Sequence, residues 1–157
     1  MSVATAATSP QTSSVRVLIA DDDPPSAELL ELYLADSGYT TQTAADGEEA
    51  LRKVEAWRPD VILLDVMMPK ISGFEVCKRL RSAPATSGTA VLMITALDQK
   101  ADVERAVDAG TDDFITKPIN KTDLLLRIRA LLSSRGEQRE LDRTLRYMEG
   151  VDDPESV

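Results

Sequence analysis

The sequence predicts an α/β fold built as a doubly wound, five-stranded parallel sheet, and three observations predict it. Short apolar runs recur along the chain, stretches with helical spacing lie between them, and the two kinds of segment alternate from Val15 onward. Runs that stay apolar rather than alternating with polar residues suit strands covered by helices on both faces.

The first strand is read at Val15-Arg16-Val17-Leu18-Ile19-Ala20. Pro24-Pro25 then opens a helix with the stripe Ala27, Leu30, Tyr33 and Leu34, and Gly38 stops it. Thr40–Ala44, rich in threonine, reads as an edge strand. Asp46-Gly47 starts a second helix carrying Ala50, Leu51, Val54 and Trp57, which Pro59 ends. Val61-Ile62-Leu63-Leu64 is the third strand, followed by a helix with Phe74, Val76, Cys77 and Leu80. Val91-Leu92-Met93-Ile94 is the fourth strand, and Val103, Ala106, Val107 and Gly110 mark the next helix. Phe114-Ile115 is a short fifth strand before the most apolar helix, with Leu124, Leu125, Ile128, Leu131 and Leu132.

These segments form one domain, residues 15–134, within 157 residues. Residues 1–14, rich in Ser, Thr and Ala, read as a disordered leader without the basic start and apolar core of a signal peptide. Residues 135–157 form a partly helical tail or a linker to an output domain, with Leu141, Leu145 and Met148 at helical spacing. Gly136 costs a helix about 1 kcal/mol relative to Ala, leaving one long helix or two as alternatives.

Composition removes whole classes of chemistry. The chain contains no histidine and one cysteine, Cys77. A Ser-His-Asp or Cys-His nucleophile system, a histidine metal site, a zinc cluster and an internal disulfide are therefore excluded. With 18 basic and 27 acidic residues the net charge is -9, which repels nucleic-acid phosphates and anionic membranes. No apolar run approaches the ~20 residues of a membrane span. The expectation is a soluble, cytoplasmic protein that binds neither nucleic acid nor membrane directly.

In a doubly wound sheet, function belongs at the carboxyl ends of the strands. Strand one ends in Asp21-Asp22-Asp23, strand three in Asp65, strand four in Thr95-Ala96, and strand five runs into Lys117-Pro118. Gathered carboxylates repel one another and suit a hard cation such as Mg²⁺. An aspartate can also serve as nucleophile and form an acyl phosphate, and phosphoryl transfer needs mainly positioning and charge neutralisation. Each residue has a plainer role when taken alone. An acidic residue before Pro24 caps the first helix, Thr95 is a strand-end hydroxyl, Lys117 a solvated charge and Phe114 a core residue. Trp57 and Cys77 read as packing residues.

Val17-Leu18-Ile19-Ala20-Asp21-Asp22-Asp23-Pro24, Leu64-Asp65-Val66-Met67-Met68-Pro69, Ser72-Gly73, Ile94-Thr95-Ala96 and Lys117-Pro118 together resemble a receiver domain of two-component response regulators. The resemblance spans about Val15 to Ser134 in order and spacing. It implies a flavodoxin-like (βα)5 sheet of strand order 2-1-3-4-5. It also implies that Asp65 is the phosphoacceptor, Asp22 a direct ligand of Mg²⁺ or Mn²⁺, and Asp21 its partner acting largely through water. The Met67 backbone carbonyl would be a further ligand. Thr95 matches the switch hydroxyl, Lys117 the ammonium that pairs with a phosphoryl oxygen, Pro118 the residue after a cis peptide, and Phe114 the aromatic switch. Met67 and Leu97 match positions that tune hydrolytic water. Both are apolar, so a long-lived phospho-Asp65 is expected.

The implied role is a phosphorylation-dependent switch rather than an enzyme. Asp65 takes a phosphoryl group from a sensor histidine kinase or phosphotransfer protein, and the surface of the fourth helix, fifth strand and fifth helix shifts. Homodimerisation through that surface or the tail helix is a further expectation. Without histidine this chain holds no phosphohistidine and no HD-type metal site, so the donor belongs to a partner. One rival is an Asp-nucleophile phosphohydrolase using Asp21-Asp22-Asp23, although Pro25 stands where that family expects Thr or Val. Another is a phosphate-independent pseudo-receiver. The tail around Leu141–Glu149 is similar to connectors leading into cyclic-dinucleotide enzymes, particularly HD-type phosphodiesterases.

Overall fold

A computed structural model describes residues 14–96 and 100–148, with side chains to residue 134. Five strands alternate with five helices: β1 (Arg16–Ala20), α1 (Pro24–Ala35), β2 (Thr40–Ala44), α2 (Gly47–Trp57), β3 (Val61–Asp65), α3 (Gly73–Ser82), β4 (Ala90–Thr95), α4 (Lys100–Ala109), β5 (Asp113–Thr116) and α5 (Lys121–Met148). The sheet is parallel throughout, in the order β2-β1-β3-β4-β5. The predicted sheet and its strand order are both observed. Residues 1–13, 97–99 and 149–157 lie outside the described residues, so Leu97, most of the leader and the end of the tail do as well.

Successive strand residues point to opposite faces, and this divides the core in two. Leu18, Ala20, Ile62, Leu64, Val91 and Met93 meet Val54 of α2, Val76, Cys77 and Leu80 of α3, and Ala106 of α4. Val17, Ile19, Val61, Leu63, Leu92 and Ile94 meet Ala27, Leu30 and Leu34 of α1 and Leu124 and Ile128 of α5. β3 is fully buried, so both faces of its apolar run are used. Each large side chain removed from water there contributes about 1.5–3 kcal/mol before entropy is counted. Burial pushes the Cys77 thiol up to about 11, so it packs as an inert apolar group.

Caps follow the polar residues at the helix starts. The carboxylates of Asp23 and Asp46 accept the amides of Ser26 and Glu49, and the Ser72 hydroxyl accepts that of Glu75. α4 departs from its predicted stripe: Ala106 and Ala109 are buried, while Val107 turns outward and is 64% exposed. Val107 lies about 100° round the helix from Ala106, and in α4 that step carries it to the solvent side of the buried Ala106–Ala109 edge. The Arg105 guanidinium sits 4.2 Å from the Phe74 ring and lays α4 over α3. α5 runs through Gly136 to Met148. The helix-favouring residues around that glycine, among them Arg135, Glu137, Gln138 and Arg139, offset its roughly 1 kcal/mol.

The segments that lead into β4 and β5 are tied by Arg81 at the end of α3. It donates to the carbonyls of Gly110 (2.8 Å), Ser87 (2.8 Å) and Thr89 (2.7 Å), and to the Asp112 carboxylate (2.7 Å). Asp112 in turn accepts the Val91 amide at 2.8 Å. This network anchors the sheet at one end and leaves the carboxyl ends of the strands to the polar site.

Candidate functional site

β1, β3, β4 and β5 end together, and their last residues bring the acidic and basic side chains into one crevice. Asp21, Asp22 and Asp65 each present a carboxylate oxygen within 4.8 Å of the others. Asp21 and Asp65 are buried, and Asp22 is exposed. From the end of β5, the Lys117 ammonium reaches Asp65 Oδ2 at 3.2 Å. The Met67 amide donates to Asp65 Oδ1 at 3.1 Å, so both oxygens of Asp65 carry a partner. The Met67 side chain itself is 64% exposed beside the crevice.

Thr95 closes β4, buried, one register position beyond the Asp65–Ile94 pair. Its carbonyl accepts the Lys117 amide at 2.8 Å, which couples the β4 and β5 ends directly. Phe114 pairs with Met93 across β4 and β5 and packs half-buried against the core face that carries α2, α3 and α4. The Lys117–Pro118 peptide is cis. Of the residues singled out from sequence, Asp21, Asp22, Asp65, Met67, Thr95 and Lys117 meet at the crevice. Phe114 stands on the adjacent strand, Pro118 follows Lys117, and Leu97 lies outside the described residues.

Asp21 bears the electrostatic strain. Burial pushes its carboxyl up to about 6, and the neighbouring Asp65 adds to this, while the Asp23 amide and Lys117 pull it down. Asp21 Oδ1 accepts the Asp23 amide at 2.9 Å, but its Oδ2 is buried with no hydrogen-bond partner. An orphaned carboxylate oxygen beside two further carboxylates, with one ammonium nearby, is an all-oxygen, negatively charged donor set. It fits a hard divalent cation such as magnesium or manganese.

The crevice opens into a cavity of about 310 Å³ bounded by Asp21, Lys117, Pro118 and Ile119 on one side and by Ser26, Leu29, Leu30 and Tyr33 of α1 on the other. Two glycines shape the loop after β3: Gly73, legible in the sequence as part of Ser72-Gly73, and Gly47, legible only as a helix start. A Cβ on Gly73 would lie 2.4 Å from the Asp65 carbonyl oxygen, and one on Gly47 would lie 2.6 Å from that of Ile71. No helix among the described residues is long and apolar enough to cross a membrane.

The family described as the response regulator receiver domain matches residues 17–129. The DNA-binding dual master transcriptional regulator RpaA of Synechocystis sp. is 44% identical over 117 residues, covering 74% of this chain and 48% of that protein. The chain spans about half the length of the first curated relatives it matches. A CheY-like response regulator receiver domain protein from Methanospirillum hungatei superposes with a TM-score of 0.75 at 28% identity, covering 80% of this chain and 99% of that one. The receiver domain of a Pseudomonas aeruginosa sensor histidine kinase, solved with a magnesium ion coordinated in its active site cleft, gives 0.70 at 27% identity, covering 79% and 99%.

Proposed function

The chain belongs to the response regulator receiver domain family, and on that premise we propose that it is the receiving half of a two-component pair with Asp65 as phosphoacceptor. The observation that carries this is the 3.2 Å ion pair of Lys117 with a buried Asp65 inside a cluster of three carboxylates.

A phosphohistidine of a sensor kinase or phosphotransfer protein supplies the group. An Asp65 oxygen forms the new O–P bond as the donor's N–P bond breaks, and the imidazole nitrogen keeps the electron pair. Asp22 and Asp65, the Met67 carbonyl and, largely through water, Asp21 would hold a magnesium or manganese ion, which when bound neutralises the carboxylates and phosphoryl oxygens. Lys117 starts on Asp65 Oδ2 and moves to a phosphoryl oxygen once that carboxylate is phosphorylated. The orphaned Asp21 oxygen and the cavity beside Lys117 supply the polar floor and the approach for a partner.

Phosphorylation places about -1.5 to -2 charge where one carboxylate charge stood. The Thr95 hydroxyl is drawn towards it, and Phe114 turns into the space that Thr95 leaves. The α4-β5-α5 surface thereby shifts between two populations, a surface through which two copies can pair. Met67 and Leu97 present no group that orients water, which makes phospho-Asp65 long-lived. Catalysis is confined to the chain's own phosphorylation and dephosphorylation, in the cytoplasm. The DNA-binding role in the name of the Synechocystis protein is not carried over, because a net charge of -9 opposes it.

The experiment is incubation with acetyl phosphate and Mg²⁺, read by intact mass. Wild type gains one phosphoryl group that hydroxylamine removes. No gain in wild type, or undiminished gain in Asp65→Ala, overturns the proposal.

A further inference from the structure

The loop between β3 and α3 rests against a turn that carries none of the site's charge chemistry. Gly47 opens α2 at that turn, and a Cβ on it would meet Ile71 O at 2.6 Å, Ile71 Cβ at 2.8 Å and Val76 Cγ2 at 3.0 Å. The nearest of these atoms is backbone, so rotating a side chain makes no room. Beside it, the Lys70 ammonium pairs with Asp46 Oδ2 at 3.4 Å and Glu48 Oε1 at 3.6 Å. Lys70 has φ 72°, a left-handed conformation that a residue with a Cβ adopts only against a steric penalty. Its two carboxylate partners face it in that conformation.

The same turn grips the other side of the site. The Ala44 carbonyl accepts the Asp21 amide at 3.0 Å. Between these attachments the turn is locked from within: Asp46 Oδ1 accepts the Glu49 amide and Glu49 Oε1 accepts the Ala45 amide, both at 2.8 Å. The β2–α2 turn is therefore a rigid strut. It is bonded to the strand end bearing Asp21 and packed on the loop bearing Met67, which lies between Asp65 and Ile71.

We propose that Gly47 and Lys70 are positioning residues: by holding the loop of residues 66–72 against the β2–α2 turn, they set the spacing between the Met67 carbonyl and the Asp21, Asp22 and Asp65 carboxylates, and so the affinity for a divalent cation. This rests on the cluster's being the cation site of the receiver, and it assigns the tuning of that site to residues that never touch the ion.

The test uses the 157-residue chain and Mg²⁺ alone, by calorimetric titration without a phosphoryl donor, followed by acetyl phosphate labelling across Mg²⁺ concentrations. Gly47→Ala raises the half-saturating Mg²⁺ about tenfold, a magnitude typical of residues that orient metal ligands. Lys70→Met raises it about two- to fivefold, as suits an exposed ion pair, and Lys70→Arg restores it. In the labelling series these variants reach the wild-type rate at saturating Mg²⁺. Gly110→Ala, at the other end of the sheet with φ 95° and its Cβ 2.8 Å from Arg81 Cγ, lowers stability and leaves Mg²⁺ affinity unchanged. Wild-type affinity in both Gly47→Ala and Lys70→Met overturns the proposal, as does equal weakening by Gly110→Ala. If Gly47→Ala does not fold, Lys70→Met and its Arg rescue decide. A wild type that binds Mg²⁺ but accepts no phosphoryl group refutes the phosphoacceptor role and leaves these affinity shifts as the test. A wild type that binds no Mg²⁺ overturns both.

Discussion

Lys117 Nζ lies 3.2 Å from Asp65 Oδ2, joining the ends of β5 and β3 across 52 positions of sequence, with β4 between them in the sheet. The Lys117 amide meanwhile donates to Thr95 on that middle strand. One residue thus contacts the carboxylate through its side chain and the neighbouring hydroxyl-bearing residue through its backbone. Lys117→Met removes the charge and keeps the backbone bond. The expected result is a fall in the rate of acetyl phosphate labelling by about 10²-fold or more, the scale of losing one preorganised electrostatic partner. Intact-mass time courses check this, with circular dichroism to verify the fold.

Asp21 gives a pH dependence whose sign follows from its burial. Its carboxyl is raised from 3.8 to about 6, so folding favours the protonated form. The stability this contributes is fully present below about 3.8 and is lost as pH rises through about 6, on the order of 2–3 kcal/mol. Asp21→Asn cannot ionise. In metal-free buffer its melting temperature should exceed that of wild type by a margin that widens from pH 4 to pH 7. Mg²⁺ narrows the margin by stabilising wild type more, and thermal melts with and without chelator read both effects.

Arg81 is the structural counterweight at the far end of the sheet. Arg81→Ala removes four hydrogen bonds, of which those to the Gly110 and Thr89 carbonyls are part-buried. A loss of about 2–3 kcal/mol in urea unfolding is expected, and Arg81→Lys should recover only part, because an ammonium cannot span the same fork. Mg²⁺ affinity should not change in either variant.

Met67 stands exposed beside Asp65, and both it and Leu97 are apolar residue types without a group to hydrogen-bond water. Met67→Asn with Leu97→Glu should shorten the lifetime of the phosphorylated protein severalfold, followed as loss of the phosphoryl mass after the donor is removed. A lifetime that lengthens contradicts the assignment of these two positions.

Much of this was legible in the sequence, for identifiable reasons. Val61-Ile62-Leu63-Leu64 reads as a strand buried on both faces, and four apolar runs plus one threonine-rich edge segment, separated by helical stripes, leave few topologies. The acidic and basic site residues were legible because strand ends converge in that topology. What was not legible depends on contacts between distant segments. Nothing local tells that Gly47 faces the Ile71 carbonyl, that Lys70 takes a left-handed backbone, or that Arg81 reaches Gly110, Ser87, Thr89 and Asp112. Val107 shows the limit of a stripe: in a short helix the apolar pattern has more members than the face that packs.

The central claim is that Asp65, and no other carboxylate of the cluster, carries the phosphoryl group. Borohydride reduction of the acetyl phosphate-treated protein, followed by peptide mass mapping, tests it most directly, because reduction converts an aspartyl phosphate to homoserine. Homoserine at position 65 alone is the predicted result. Homoserine at position 21, as an Asp21-nucleophile phosphohydrolase would leave, or no homoserine in a protein that has bound Mg²⁺, would contradict it.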